Sequence, residues 1–455
     1  MARLFGTDGV RGIANQELTV GLACALARAA THYLRTERGA MSRPRILVGR
    51  DTRASGDMLE AAVVAGVCAS GGDAIRVGVM TTPGVAYLVR RLGADGGIMI
   101  SASHNPAEYN GIKVFSGAGY KLPDRVEEEI EDLVLGGRSI DDILPRPSGA
   151  EIGRASELPD GRDMYVEFLK GLAPSGLKGF KVVLDCANGS AHRIAPEVFE
   201  LLGAEVTVIN AVPDGLNINV ECGSTHPSAL RRAVLDTGSQ MGFAYDGDAD
   251  RCIAVDERGD VVDGDQILAI CGIDMLKRGT LRGNTVVATV MSNFGLEMAL
   301  RPYGGRVKRT SVGDRYVLEE MVASGHNLGG EQSGHVIFLD NATTGDGILT
   351  SVMVASIISR EGISLSEAAS VMARFPQVMV NVRVPQRVEV ERSPAVAKAI
   401  REAERALYGC GRVVVRPSGT EPLVRVMVEA EEVQKAREFA EMIGEVVRRE
   451  FNGEV

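Results

Sequence analysis

Short apolar runs alternate along most of the chain with longer stretches in which apolar residues recur every three or four positions. The runs predict buried strands, and the longer stretches predict helices with one buried face. This order of elements occurs three times. The first passage begins with the strand Ile46 to Val48 and the polar turn Gly49 to Arg53, followed by a helix through Met58 to Cys68. Gly71 and Gly72 then interrupt, a second strand ends near Val79, and Thr82-Pro83-Gly84 reads as a turn. After another helix the strand Gly97 to Ile100 empties into Ser101-Ala102-Ser103-His104-Asn105-Pro106.

The second passage begins with Val182 to Leu184 and turns at Asn188-Gly189-Ser190. A helix reaches Leu202, a strand spans Val206 to Ile209, and Pro213-Asp214-Gly215 turns the chain again. Its last strand, Met241 to Tyr245, empties into Asp246-Gly247-Asp248-Ala249-Asp250-Arg251. The third passage runs from Val286 to Thr289 through a turn at Ser292-Asn293 and a helix ending at Gly304-Gly305. A further turn at Ser311 to Arg315 precedes Leu328-Gly329-Gly330, which leads into Glu331-Gln332-Ser333-Gly334-His335. Strands alternating with helices predict parallel sheets, with ligands at the carboxyl ends of the strands. The three most unusual loops therefore fall at one place in three similar units and can face each other across one cleft.

From about Ala373 the pattern changes. Val378, Val380, Val382 and Val384 alternate as in a strand with one buried face, a charged helix spans Ser393 to Tyr408, and Val413 to Val415 leads into the loop Arg416 to Pro422. A strand from Leu423 to Val428 and a final helix from about Glu431 complete a small α+β domain. The predicted class is thus α/β: three similar mixed α/β domains plus a C-terminal α+β domain around a central cleft.

Composition narrows the function classes. A chain of 455 residues exceeds one ordinary core, and 45% hydrophobic with 24% charged residues is the balance of a soluble globular protein. No apolar run approaches the roughly 20 residues of a membrane span, so no membrane partner is expected. The first residues, MARLFGTDGVRG, lack the apolar core of a secretion signal, which predicts a cytoplasmic location. Seven scattered Cys without a CxxC pair predict reduced thiols rather than a metal site. A formal charge of −10 argues against nucleic acid as a partner.

Four loops carry candidate chemistry. Asp246, Asp248 and Asp250 would repel one another without a cation, and their oxygens suit a hard ion such as Mg²⁺. A solvated acidic turn and a phosphatase-type aspartyl nucleophile are the other readings. An EF-hand is disfavoured, because Arg251 occupies the position that needs Gly and the flanks read as strands. Ser103 stands at a strand-to-loop corner where a side chain is exposed for reaction, with Ser101 as its competitor. In the loop 416–422, Arg416 offers a bidentate fork, Ser418 and Thr420 offer hydroxyls, and Gly419 lets backbone N–H groups approach an anion. A plain turn remains the other reading there. The loop 331–335 offers donors and acceptors to a polyol.

Together with FGTDGVRG at 5–12, the segments ASHNP at 102–106, DGDADR at 246–251, EQSGH at 331–335 and RPSGTEP at 416–422 resemble the α-D-phosphohexomutase superfamily, in its order and over essentially the whole chain. The resemblance implies four domains: a phosphoserine domain 1–155, a metal-binding domain 156–252, a sugar-binding domain 253–372 and a phosphate-binding domain 373–455. It selects Ser103 over Ser101 as the phosphorylated residue. It implies one Mg²⁺ per active site on Asp246, Asp248, Asp250 and a phosphoserine oxygen of Ser103. Glu331 and Ser333 would hold sugar hydroxyls, while Arg416, Ser418, Gly419 and Thr420, assisted by Arg425, would hold the phosphate that is not reacting. Lys113 and His335 match positions implicated in acid–base work, and Arg11 and Arg251 match basic residues lining the phosphoserine site. A homodimer is also implied. Ala249 replaces the Gly frequent in the family's metal loop and leaves the carboxylates intact.

Gln332, the segment 213–227 and the segment 343–347 resemble the superfamily branch that acts on glucosamine phosphates, whereas glucose and mannose enzymes often carry Met in place of Gln332. The implied reaction interconverts glucosamine 6-phosphate and glucosamine 1-phosphate through a bisphosphorylated sugar, as intermediate or primer; glucose or mannose phosphates are the alternative. A phosphoserine and three carboxylates bring about five negative charges, of which Mg²⁺ offsets two and Arg11, Arg251 and Lys113 can balance the rest. A phosphatase would need no second phosphate cradle, and a non-catalytic cation-binding protein would need neither Ser103 nor Arg416.

Overall fold

The computed structural model describes residues 4–6, 8–37, 43–137, 139–385, 388–418 and 422–452. The first sheet contains β1 (Phe5–Gly6), β2 (Gly9–Ile13), β3 (Arg45–Arg50), β4 (Asp73–Val79), β5 (Gly96–Ile100), β6 (Tyr109–Ser116) and β7 (Ala155–Glu157), in the order β1-β2-β6-β5-β3-β4-β7. The second contains β8 (Lys181–Asp185), β9 (Glu205–Ile209), β10 (Met241–Tyr245), β11 (Cys252–Asp256) and β12 (Val261–Val262). The third contains β13 (Thr285–Thr289), β14 (Arg306–Thr310), β15 (Leu328–Gly330) and β16 (Val336–Phe338). The C-terminal sheet contains β17 (Gln377–Arg383), β18 (Gly411–Pro417) and β19 (Leu423–Ala430), with β19 in the middle. The chain thus forms three α/β units and a C-terminal α+β unit.

The sheets are mixed, not purely parallel. β3 pairs in parallel with β4 and β5, β8 with β9 and β10, and β13 with β14 and β15. Each unit then adds an antiparallel strand: β6 on β5, β11 on β10 and β16 on β15. The three chemistry-bearing loops are therefore the connections of three equivalent antiparallel pairs. Such a pair needs only a short link, whereas parallel neighbours need a crossover. β11 and β12 also carry the second sheet past Cys252, the expected end of that domain, to Val262. Thr82-Pro83-Gly84 does not stand as a separate turn; it opens the helix Thr82–Leu92. Thr81 caps that helix by accepting the Gly84 N–H, and Pro83 falls in the first turn, where its missing donor is harmless.

Packing explains how the units come together. β3 buries both faces: Ile46 and Val48 join a cluster with Val63 and Val67, while Leu47 joins Val85 and Val89. The Leu47 cluster continues through Leu184 and Phe243 of the second sheet to Val286 and Leu328 of the third, one apolar core shared by three units. The C-terminal unit has a core of its own, in which Val382, Val424, Val426 and Val428 pack against Ile443 and Val447. Its opposite sheet face meets the third unit through polar contacts, Arg412 Nη2 to the Ser292 carbonyl at 2.9 Å and Asn293 Nδ2 to Glu429 at 3.3 Å. Among the described residues no helix is long and apolar enough to cross a membrane.

Candidate active site

Ser103 lies in the loop between β5 and β6 with a φ of 53°, a left-handed conformation rare for a residue with a side chain. Buried hydrogen bonds hold it there. Its carbonyl accepts from Arg53 Nη2 at 2.8 Å and from Asn219 Nδ2 at 2.9 Å, and its N–H donates to Ser101 Oγ at 3.0 Å. Ser101 in turn donates to Asp51 Oδ2 at 2.6 Å. Geometry therefore separates the two serines. Ser101 is a strut within the loop, whereas Ser103 Oγ donates to Asp246 Oδ2 at 2.6 Å.

Asp246, Asp248 and Asp250 sit in the connection between β10 and β11, all buried, each offering an oxygen within 4.8 Å of the others. Asp248 Oδ1 and Asp250 Oδ1 are buried without a hydrogen-bond partner. Orphaned carboxylate oxygens converging on one point are the donor set of a hard divalent cation. The flanking strands leave no room for the helix-loop-helix of an EF-hand. Burial, reinforced by repulsion from Asp250 and Asp248, pushes Asp246 well above the usual carboxylate range. Burial disfavours the Asp250 anion too, but Lys113 and then His335 and Arg251 outweigh it and hold Asp250 well below that range.

Lys113, on β6, is the fixed cation of the cluster. Its Nζ stands 2.8 Å from Asp248 Oδ2, 3.5 Å from Asp250 Oδ2 and 2.8 Å from Asp8 Oδ2. Against the effect of burial, Asp248, Asp8 and Asp250 raise its pKa well above that of a free lysine, so it keeps its proton. Arg251 approaches His104 Nδ1 at 3.0 Å, and burial and then Arg251 lower the His104 pKa to about 4, so that ring is neutral and accepts.

His335 is buried with Nδ1 3.7 Å from Asp250 Oδ1 and Nε2 3.7 Å from Asp314 Oδ2. Against burial, these carboxylates favour the charged ring. The Gly345 N–H, however, donates to Nε2 at 3.1 Å, which requires a lone pair there. The directed hydrogen bond decides the tautomer, with the proton on Nδ1 toward Asp250. A cavity of about 450 Å³ opens among these groups, lined by Asp8, Arg11, Asp250, Arg251, Glu331 and His335 among others. Three units contribute to it, so the structure gathers the N-terminal segment and the loops that follow β5, β10 and β15 at one place.

Of the remaining predicted residues, only Glu331 lines this cavity among the described residues. Glu331 Oε1 accepts the Gly313 N–H at 3.2 Å, but Gln332 and Ser333 are exposed and do not line the cavity. Arg416 and Arg425 stand directly opposite each other across β18 and β19. Burial and then Arg425 lower the Arg416 pKa. Ser418 donates its N–H to the Leu423 carbonyl at 2.7 Å. None of these three lines the cavity among the described residues, and Gly419 and Thr420 lie outside the described residues.

Sequence reasoning missed five neighbours. Asp8 pairs with Arg11, Lys113 and Lys121, and Lys121 bridges Asp8 to Asp314. Thr82 donates its hydroxyl to Asp248. Gly345 sets the His335 ring. Asp8 and Gly345 fall in segments already singled out, so position within them was the available signal. Lys121 and Thr82 carry no local signal, because their partners are 113 and 166 residues away.

Comparison with known proteins agrees with this arrangement. Residues 2–140, 163–259 and 263–375 match domains I, II and III of phosphoglucomutase/phosphomannomutase, each described as alpha/beta/alpha, and residues 379–446 match its C-terminal domain. The chain is 56% identical over 452 residues to a phosphoglucosamine mutase of Symbiobacterium thermophilum, covering 99% of this chain and 100% of the relative. It is 55% identical over 429 residues to that of Moorella thermoacetica, covering 94% and 95%. Among solved structures, a phosphoglucomutase/phosphomannomutase family protein from Burkholderia thailandensis superposes with a TM-score of 0.81 at 23% identity, covering 98% of this chain and 97% of the other. An N-acetylphosphoglucosamine mutase from Aspergillus fumigatus, in complex with GlcNAc-6P and magnesium, gives 0.69 at 19% identity over 98% and 96%.

Proposed function

Because the chain belongs to the phosphoglucomutase/phosphomannomutase family, we propose that it interconverts glucosamine 6-phosphate and glucosamine 1-phosphate through a phosphoserine at Ser103 and a bisphosphorylated sugar. The observation that carries the chemistry is Ser103 Oγ at 2.6 Å from Asp246, beside a buried carboxylate triad and a charged Lys113. The sugar rests on the glucosamine-phosphate relatives, which match nearly end to end.

Asp246, Asp248, Asp250 and a Ser103 oxygen would hold Mg²⁺, which supplies charge neutralisation on the transferring phosphoryl group. The chain's own groups do the rest. Lys113, Arg11 and Arg251 are cations that offset the phosphoserine and orient its oxygens. Each half-reaction exchanges one O–P bond for another. The phosphoryl group leaves Ser103 Oγ for O1 or O6 of the sugar, and the proton displaced from that hydroxyl returns to Ser103 Oγ, where Asp246 accepts its hydrogen bond. His335, fixed by Gly345 and Asp250, serves this proton movement, and Lys113, which keeps its proton, supports it as a hydrogen-bond donor and cation. Glu331 and Ser333 hold the sugar hydroxyls.

The phosphate that is not reacting falls to Arg416, Ser418, Gly419, Thr420 and Arg425. Two guanidinium groups directly opposed across a strand pair repel one another, and an anion between them removes that repulsion. Closure of the C-terminal unit toward the cavity would bring this grip to the sugar. The test is kcat/KM for glucosamine, glucose and mannose phosphates under one set of conditions. Glucosamine phosphate is expected to lead; if another sugar leads, the mutase reading stands and the glucosamine assignment fails.

A further inference from the structure

A second cavity, of about 430 Å³, opens between the first and second units at the N-terminus of the helix Ala191–Leu201. It shares no lining residue with the cavity described above. Arg50, Arg162, His192 and Arg193 line it, and among the described residues no carboxylate does. Two of these cations are already answered outside the cavity, Arg50 by Asp57 and Glu60 and Arg162 by Asp163 and Glu197. Arg193 is exposed and takes part in no ion pair among the described residues.

Ser190 supplies the second, independent observation. It holds the N-cap position of that helix, where a serine ordinarily turns its hydroxyl back to an N–H of the first turn. Here it makes no such bond; its Oγ is buried, has no hydrogen-bond partner, and the residue lines the cavity at 1% exposure. A buried hydroxyl left unsatisfied is destabilising unless something in the cavity completes it. The N–H groups of a helix start, of which only that of His192 is turned back to the Gly189 carbonyl among the described residues, the aligned helix dipole, an unpaired guanidinium and an unsatisfied O–H all ask for the same partner, an oxyanion. The volume falls within the range of small-molecule pockets.

We propose that this cavity binds a phosphate-bearing small anion at a site separate from the mutase centre. The phosphate oxygens accept from Ser190 Oγ, from the helix N-terminus and from Arg193, and His192 lies beside them with Nδ1 committed to the Gly189 carbonyl at 2.9 Å. The position gives such an anion leverage on catalysis. Thr52 Oγ1 crosses the same seam to the Asn188 carbonyl at 2.6 Å, and this seam joins the unit carrying Ser103 to the unit carrying Asp246.

The imidazole ¹⁵N signals of His192, identified by their loss in His192→Gln, report on the cavity directly. Titration of the full-length protein with inorganic phosphate, and separately with glucose 6-phosphate, is expected to move them along a saturable curve. A lower midpoint for the sugar phosphate identifies an ester as the ligand, and equal midpoints identify the phosphate group alone. Arg193→Glu, a change at an exposed position, should raise either midpoint by about tenfold or more, and Ser190→Ala should raise it by less, while both keep mutase activity in phosphate-free buffer. Signals that do not move, or that move identically in Arg193→Glu, would overturn the proposal.

Discussion

The Ser103 hydroxyl donates to Asp246 Oδ2 at 2.6 Å, joining two loops 143 residues apart in the chain. Ser103→Ala should therefore abolish mutase activity and leave the fold intact, because among the described residues the lost hydroxyl supports only this contact and a 3.4 Å approach to His104. Ser101→Ala should do the reverse in kind. It leaves the buried Asp51 and the Ser103 N–H each short of a partner, and should lower stability by about 1–3 kcal/mol while retaining a phosphorylatable Ser103. Peptide mapping of the active enzyme distinguishes the two; phosphate on Ser101 would reverse the assignment.

The orphaned oxygens of Asp248 and Asp250 lead to a thermal measurement. Mg²⁺ should raise the Tm of the wild-type protein in a saturable way, since binding to the folded state alone adds RT ln(1 + [L]/Kd). Asp248→Ala should flatten that response, and chelation should remove activity from the wild type. Unchanged turnover after exhaustive chelation would rule out a metal requirement.

Gly345 is expected to be intolerant of even one methyl group. A Cβ there would lie 2.5 Å from His335 Nε2, against a ring that is 2% exposed and has nowhere to retreat. Gly345→Ala should lower kcat by about tenfold or more through misplacement of that ring. The loss should not add to that of His335→Asn, because both act on one group. Strict additivity in the double variant would show that Gly345 acts elsewhere.

Asp265 should give the protein a measurable pH dependence. Burial first, with Asp263 adding to it, raises its pKa to about 7, although the Asn293 N–H donates to it at 2.7 Å. The folded state then binds a proton that the unfolded chain releases near pH 4. Stability contributed at this position must fall as pH rises from about 4 to about 7 and level off above that. Urea unfolding across this window should show wild type losing ground against Asp265→Asn. Parallel curves for the two proteins would mean that the carboxylate ionises normally.

The sequence determined what depends on neighbours along the chain. Apolar runs at Val182 to Leu184 and Val286 to Thr289 mark strands because periodic burial is written locally, and the loops after Ile100, Tyr245 and Gly330 stand out because glycine and clustered carboxylates are conspicuous wherever they fall. Those loops also carried the resemblance from which the expected site was assembled. The choice of Ser103 over Ser101 rested on resemblance, and only the tertiary structure gave its physical reason: Asp246 reaches Ser103 from across the seam between units, while Ser101 is tied to Asp51 within its own unit. The run Cys252 to Val255 reads as a strand, but the antiparallel pairing of β6, β11 and β16 was not legible, for a related reason. A buried strand reads as an apolar run whichever way its partner points, so the pairing that turns each chemical loop toward the centre is decided by the sheet. Lys121 between Asp8 and Asp314, Thr82 on Asp248 and Gly345 against His335 are likewise contacts across long stretches of chain or between packed segments. They exist because one apolar core, running from Leu47 through Leu184 to Val286, locks three units into register and leaves their polar loops no other neighbours.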